Sequence, residues 1–114
     1  MANRSVVLLL AALAGACSGP VERDLEAVKA ARTVLAEWAL VEERAAQGET
    51  PATYVDQMRD AAREQLTTAR DTLEEDGQEA AGVLDAVLAA RPDAAALEQA
   101  DKRLEPTETG LERS

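Results

Sequence analysis

Apolar residues recur every three or four positions through most of the chain, which is the spacing of one face of an α-helix. The first such stripe runs from Val21 to Ala45 and includes Trp38. Pro20 suits the first position of a helix, and Gly48 suits its end. The stripe therefore predicts one helix of about seven turns between these two residues.

A second stripe runs from Val55 to Leu73. Its helix can begin at Thr50 followed by proline, or at Thr53 with Asp56 three residues later. Gly77 is the predicted end.

A third stripe covers residues 78–91, where Pro92 interrupts it, and the periodicity resumes over 94–104. Pro92 therefore either kinks a long third helix or precedes a short fourth one. Residues 105–114 show no periodicity, and we predict a disordered tail there.

No segment has the alternating β-branched and aromatic pattern of a strand, so the predicted fold class is all-α. Short connections between helices favour an up-down helical hairpin or a three-helix bundle in one domain, residues 21–104. Leucine and valine number only 17 of the 98 residues from position 17 onward, so the core is thin. Because the core is thin, we expect a protein partner or self-association.

The first sixteen residues differ in character from the rest. One basic residue, Arg4, precedes the uncharged apolar run Val6–Ala14, and small residues follow. This layout predicts a secretory signal peptide over residues 1–16, because the run is shorter than the roughly 20 residues that span a membrane.

The segment Leu13-Ala14-Gly15-Ala16-Cys17 resembles the lipobox of bacterial lipoproteins. The resemblance implies cleavage between Ala16 and Cys17 by signal peptidase II, acylation of Cys17, and a lipidated tether over residues 17–20. Ser18 resembles the residue of lipoproteins exported to the outer membrane, facing the periplasm. An ordinary cleavage after Ala14-Gly15-Ala16, leaving Cys17 as a free thiol, is the alternative.

Charge limits the partners of the remaining body. Loss of Arg4 with the signal segment leaves 11 basic residues against 22 acidic ones. This balance argues against nucleic acid, which needs clustered lysine and arginine, and against binding of the body to an anionic surface. Membrane attachment should therefore depend on the lipid at Cys17. The acidic residues Glu22, Asp24 and Glu26 lie where the dipole of the first helix favours negative charge.

Few residues suggest chemistry. The chain has no histidine and one cysteine, so we expect no catalytic residues, no cofactor and no metal site, and hence no enzyme. The densest acidic cluster, Glu74-Glu75-Asp76, fails as a calcium loop because Thr72 and Val83 occupy positions that need acids. We predict instead a solvated acidic end of the second helix.

Two aromatic residues and several charged pairs complete the candidates. Trp38 and Tyr54 are each placed on the apolar face of a helix, where core packing is favoured over a ligand platform. Asp56–Arg59 and Asp60–Arg63 are spaced as surface ion pairs, and Asp60 and Glu64 share a helix face without the divergent environments that acid-base catalysis needs.

Two functions remain open. The first is a lipid-anchored acidic envelope protein that acts by protein contact in a structural or assembly role. The second is a lipid-anchored module that binds a small ligand or a divalent cation. An exposed apolar stripe would favour the first, and an enclosed polar pocket near Trp38 and Tyr54 would favour the second.

Intact mass of the membrane-fraction protein expressed in a bacterium tests the anchor. We expect a chain that starts at Cys17 and carries acyl chains. The Cys17→Ala variant should lose the acyl mass, and an inhibitor of signal peptidase II should block processing. An unmodified chain that starts at Cys17, or one that retains Met1, would contradict the prediction.

Overall fold

The computed structural model describes residues 19–114, and the predicted signal segment with Ala16 and Cys17 lies outside the described residues. The described chain forms four α-helices without a strand, which confirms the all-α prediction. They are α1 (Pro20–Ala46), α2 (Ala52–Thr72), α3 (Gln78–Ala89) and α4 (Ala94–Glu112). Pro92 lies between α3 and α4, so the segment after it is a fourth helix.

The end of α1 is fixed by Gly48, as the sequence predicts. Gly48 has a φ of +72°, and its N–H donates to the Ala45 carbonyl at 3.0 Å. The next N–H, of Glu49, reaches back to the Arg44 carbonyl at 3.1 Å. These two bonds form a Schellman motif, in which glycine relieves the steric cost of the left-handed backbone.

The second helix differs at both ends from the prediction. It begins at Ala52, flanked by Pro51, so neither Thr50 nor Thr53 caps it through its side chain. It ends at Thr72 rather than at Gly77. Leu73 and Glu74 are extended, and a short 3-10 turn, Glu75–Gly77, leads directly into α3.

Asp24 of α1 explains this early end. Its carboxylate is fully buried, and Oδ1 accepts a hydrogen bond from the Glu74 N–H at 3.0 Å. Gly77 packs against the same point, where a Cβ atom would lie 2.7 Å from Leu73 Cδ2 and 3.2 Å from Asp24 Oδ2. The prediction that Asp24 is a charge placed for the dipole of α1 therefore misses its structural role.

The acidic cluster consequently lies at a different helix end from the one predicted. Glu74, Glu75 and Asp76 are exposed and precede the first residue of α3, instead of ending α2. Negative charge is favoured at a helix N-terminus and disfavoured at a C-terminus. The cluster lies in the connection between the two helix ends, and the Glu75–Gly77 turn places Glu75 and Asp76 where negative charge favours the start of α3.

The predicted disordered tail is wrong, because α4 continues to Glu112. Asp93 caps the start of α4 by accepting the Ala96 N–H at 2.8 Å. Pro106 lies inside the helix, where it removes one backbone hydrogen bond. Two contacts hold the helix beyond it: Leu111 is buried in the core, and Glu108 accepts a hydrogen bond from Arg32 of α1.

α1 occupies the middle of the arrangement. It packs against α2 on one flank and α4 on another, while the short α3 packs against both α2 and α4. Five leucines are essentially fully buried, and these are Leu35, Leu66, Leu84, Leu97 and Leu104. Much of the remaining core is alanine, so each helix buries little area and sits close to its neighbour.

Replacement of Leu111 by alanine tests the order of the C-terminal turn. We expect Leu111→Ala to lower the free energy of unfolding by about 2 kcal/mol, because it removes a buried side chain. The control is Lys102→Ala on the same helix, whose exposed side chain should change stability by less than about 0.5 kcal/mol. Equal free energies of unfolding for Leu111→Ala and wild type in chemical denaturation would contradict an ordered C-terminal turn.

Candidate functional site

An open groove runs between α1 and α2, and we call it the outer groove. Its first part has a volume of about 630 Å³ and begins where the N-terminal turns of α1 meet the C-terminal end of α2. Small residues form much of its floor, and these are Ala27, Ala30, Val34, Ala61 and Ala69. Polar side chains also line this part, and these are Arg23, Glu26, Glu64, Gln65, Thr68 and Thr72. The groove is therefore a shallow surface with an apolar floor on the helical hairpin.

The second part of the outer groove follows one helical turn further along α1 and α2. It has a volume of about 550 Å³ and contains Leu40, Val41, Tyr54 and Met58. Leu40 and Tyr54 are the two large apolar side chains that stay exposed in the described part of the chain, at 49% and 47%. The prediction that Tyr54 packs in the core is therefore wrong, since Val55 takes the buried position beside it.

Charged residues along the outer groove nearly cancel. Two arginines and three glutamates line it, and these are Arg23, Arg44, Glu26, Glu37 and Glu64. The body as a whole has twice as many acidic as basic residues. The outer groove is thus a nearly neutral surface on a strongly acidic protein.

A second candidate site surrounds Trp38. The indole is 3% exposed, and its Nε1 donates to Glu42 Oε2 at 2.8 Å. Arg59 of α2 binds both oxygens of Glu42, with two distances of 2.7 Å. Arg59 also lies 3.5 Å from Asp56, the ion pair that the sequence predicts. Core packing of Trp38 is therefore confirmed, with its one polar atom satisfied.

Arg63 lies over a face of the same indole. Its guanidinium carbon lies 5.2 Å from the ring centroid, within the range of a cation–π contact. The same guanidinium donates to the Leu88 carbonyl at 3.0 Å and to the Ala90 carbonyl at 2.8 Å. Arg63 thus joins α1, α2 and the end of α3, where it satisfies carbonyls that a helix leaves free. It takes these partners instead of the predicted Asp60.

A polar cleft of about 760 Å³ opens beside these residues, and we call it the Trp38 cleft. Arg91 and Asp93 from the α3–α4 connection line it, as does Asp60. Tyr54 lines the outer groove, so the structure does not bring Trp38 and Tyr54 into one pocket. Asp60 and Glu64, although neighbours on one helix, also line different pockets, the Trp38 cleft and the outer groove.

The bidentate contact with Arg59 lowers the pKa of Glu42, and the bond from Trp38 acts in the same direction against the effect of burial. The same hydrogen bond to Glu42 raises the pKa of Arg59. On the opposite flank of α1, hydrogen bonds to Asp101 and Glu108 raise the pKa of Arg32. Both arginines stay charged at any pH at which the protein folds.

Metal ligands do not converge within residues 19–114, where no three acidic, cysteine or histidine side chains could hold an ion together. Asp24 is the buried carboxylate that sequence reasoning missed. Its Oδ1 holds the turn before α3, and its Oδ2 has no hydrogen-bond partner. Its place on the apolar face beside Val28 is the signal that could have identified it.

Replacement of Glu42 by glutamine tests the Trp38 interactions through pH. A carboxylate whose folded pKa lies below its ordinary 4.5 stabilises the fold above that value and loses the contribution as pH falls further. We expect Glu42→Gln to destabilise the protein by about 1 to 2 kcal/mol at pH 7 and to approach wild type well below pH 4.5. Asp56→Asn, at a side chain 72% exposed, should have little effect at either pH. A deficit in Glu42→Gln that is the same at every pH would contradict the role of the carboxylate.

No protein-family model matches the chain, and neither a curated protein nor a solved structure is similar enough to count as a match. No helix in the described part of the chain is both long and apolar enough to cross a membrane.

Proposed function

We propose that this is a small, lipid-anchored, acidic helical protein of the bacterial envelope that acts by protein contact in a structural or assembly role. The observation that carries the contact is the outer groove, with Leu40 and Tyr54 exposed at one end. An apolar surface that stays open on a small helical body is typical of a protein-binding site. Its near-neutral lining lessens the repulsion that the acidic body would impose on an acidic partner.

Support for the anchor comes from the sequence around Cys17 and from the position of α1. The helix begins at Pro20, three residues after Cys17, so an acylated Cys17 would hold the start of α1 next to the bilayer. Ser18 favours the outer membrane, with the body in the periplasm, through the same resemblance. Because the body is acidic, the acyl chains would supply the attachment.

A second candidate function is a lipid-anchored module that binds a small ligand, and the Trp38 cleft is the observation that favours it. Three arginines and four acidic residues line this cleft, which suits a polar ligand of mixed charge better than a divalent cation. Arg59 and Arg63 already bind Glu42 and the α3 carbonyls. A ligand would have to displace these bonds, so we prefer protein contact.

Photo-crosslinking in living cells tests the contact. A photoreactive amino acid at position 40 should yield adducts with protein, because Leu40 points out of the fold at the end of the outer groove. The matched control is position 36, where Ala36 is exposed on the same helix but does not line the groove. No protein adduct at position 40, or an equal yield at position 36, would contradict contact through this surface.

A further inference from the structure

We propose that a second copy of this chain occupies the outer groove, related to the first by a two-fold axis parallel to α1 and α2. In this arrangement α1 of each copy packs along α2 of the other, and the four helices form one bundle. This inference rests on the proposed protein contact and identifies the contacting protein as a second copy of the same chain. It does not depend on acylation of Cys17.

The placement of the two exposed apolar side chains favours this axis. Leu40 on α1 and Tyr54 on α2 line the same part of the groove, so they lie at the same height along the hairpin. A two-fold axis along the helices keeps that height and exchanges α1 for α2. Leu40 of each copy therefore meets Tyr54 of the other, so the same contact occurs twice and covers both side chains in each copy.

The rest of the groove suits close helix packing. Ala30, Val34 and Ala61 lie along its first part, where small side chains let helix backbones approach. The face from Arg23 to Arg44 is about 32 Å long at 1.5 Å per residue, and two helices are about 20 Å wide. The resulting area of about 640 Å² per copy approaches the roughly 800 Å² that stable protein interfaces bury on each side.

Charge and chain direction support the same choice. The charges along the groove nearly cancel, whereas most other surfaces of two acidic copies would repel each other. Both copies of α1 begin at Pro20, and an axis parallel to the helices places the two starts at the same end of the bundle. Two anchored copies could therefore form it in one bilayer, with their helices upright.

Mixed cross-linking of the full chain tests the pairing. Cells would express two chains with different tags, one carrying Leu40→Cys and the other Tyr54→Cys, and both chains would also carry Cys17→Ser so that no other thiol reacts. A short bismaleimide would be added to the cell lysate. We expect a linked dimer that carries both tags. Lys102→Cys on exposed α4, paired with Tyr54→Cys, is the control and should give no such dimer. No mixed dimer from Leu40→Cys with Tyr54→Cys, or as much from the control, overturns the proposal.

Sedimentation of the purified full chain in detergent gives a second measurement. Wild type should be dimeric, and Leu40→Glu should raise the dimer dissociation constant at least about tenfold, because it buries a charge in the contact. Ala36→Glu adds the same charge on the exposed side of α1 and should leave the constant unchanged. Circular dichroism should show equal helix content in both variants, since both positions are exposed. A monomeric wild type, or equal dissociation constants for the two variants, overturns the proposal.

These outcomes distinguish a second copy from protein contact in general. Adducts of position 40 with a different protein, together with a monomeric wild type, would sustain protein contact and refute the second copy. An absence of any adduct would refute both.

Discussion

The width of the apolar surface on α1 is the constraint on which the rest of the structure depends. Seven apolar residues of this helix are buried, and they are spread over two flanks: Ala27, Val28, Ala31, Val34, Leu35, Trp38 and Ala39. One flank contacts α2 and the other contacts α4, so a single helix positions both neighbours. Since residues 19–114 supply no further helix, the remaining side of the α1–α2 hairpin stays open in this part of the chain as the outer groove.

Polar contacts then fix the relative positions of the helices, which the thin apolar core leaves undetermined. Alanine-rich faces pack closely but specify little, because one small side chain resembles another. Arg63 joins the hairpin to α3 through Trp38 and two carbonyls, and Arg32 joins α1 to α4 through Asp101 and Glu108. Asp24 fixes the turn between α2 and α3. These contacts lie on the core side of α1 and α2, which leaves the outer groove free for a partner.

How much the sequence predicts depends on how local the deciding interaction is. The all-α fold, the end of α1 at Gly48 and the break at Pro92 all follow from periodicity and from single residues. The helical structure of residues 105–112 does not follow from local sequence. Glu108 accepts a hydrogen bond from Arg32, 76 positions earlier, and this distant contact outweighs the helix-breaking tendency of Pro106. Asp24 and Glu74, 50 positions apart, are a second case. The outer groove was not predicted for the same reason. Periodicity places Leu40 and Tyr54 on apolar stripes, but it does not show that no other helix covers them.

Native-state hydrogen exchange of the full chain tests the central role of α1 most directly. If α1 positions both neighbours, its amides from Ala27 to Ala39 should exchange only through global unfolding, with protection equal to the full free energy of unfolding. The amides of α3 and of α4 beyond Pro106 should exchange earlier, through local opening, because these segments each depend on α1 or α2 for their position. Exchange of the α1 amides ahead of those in α3 would contradict the account.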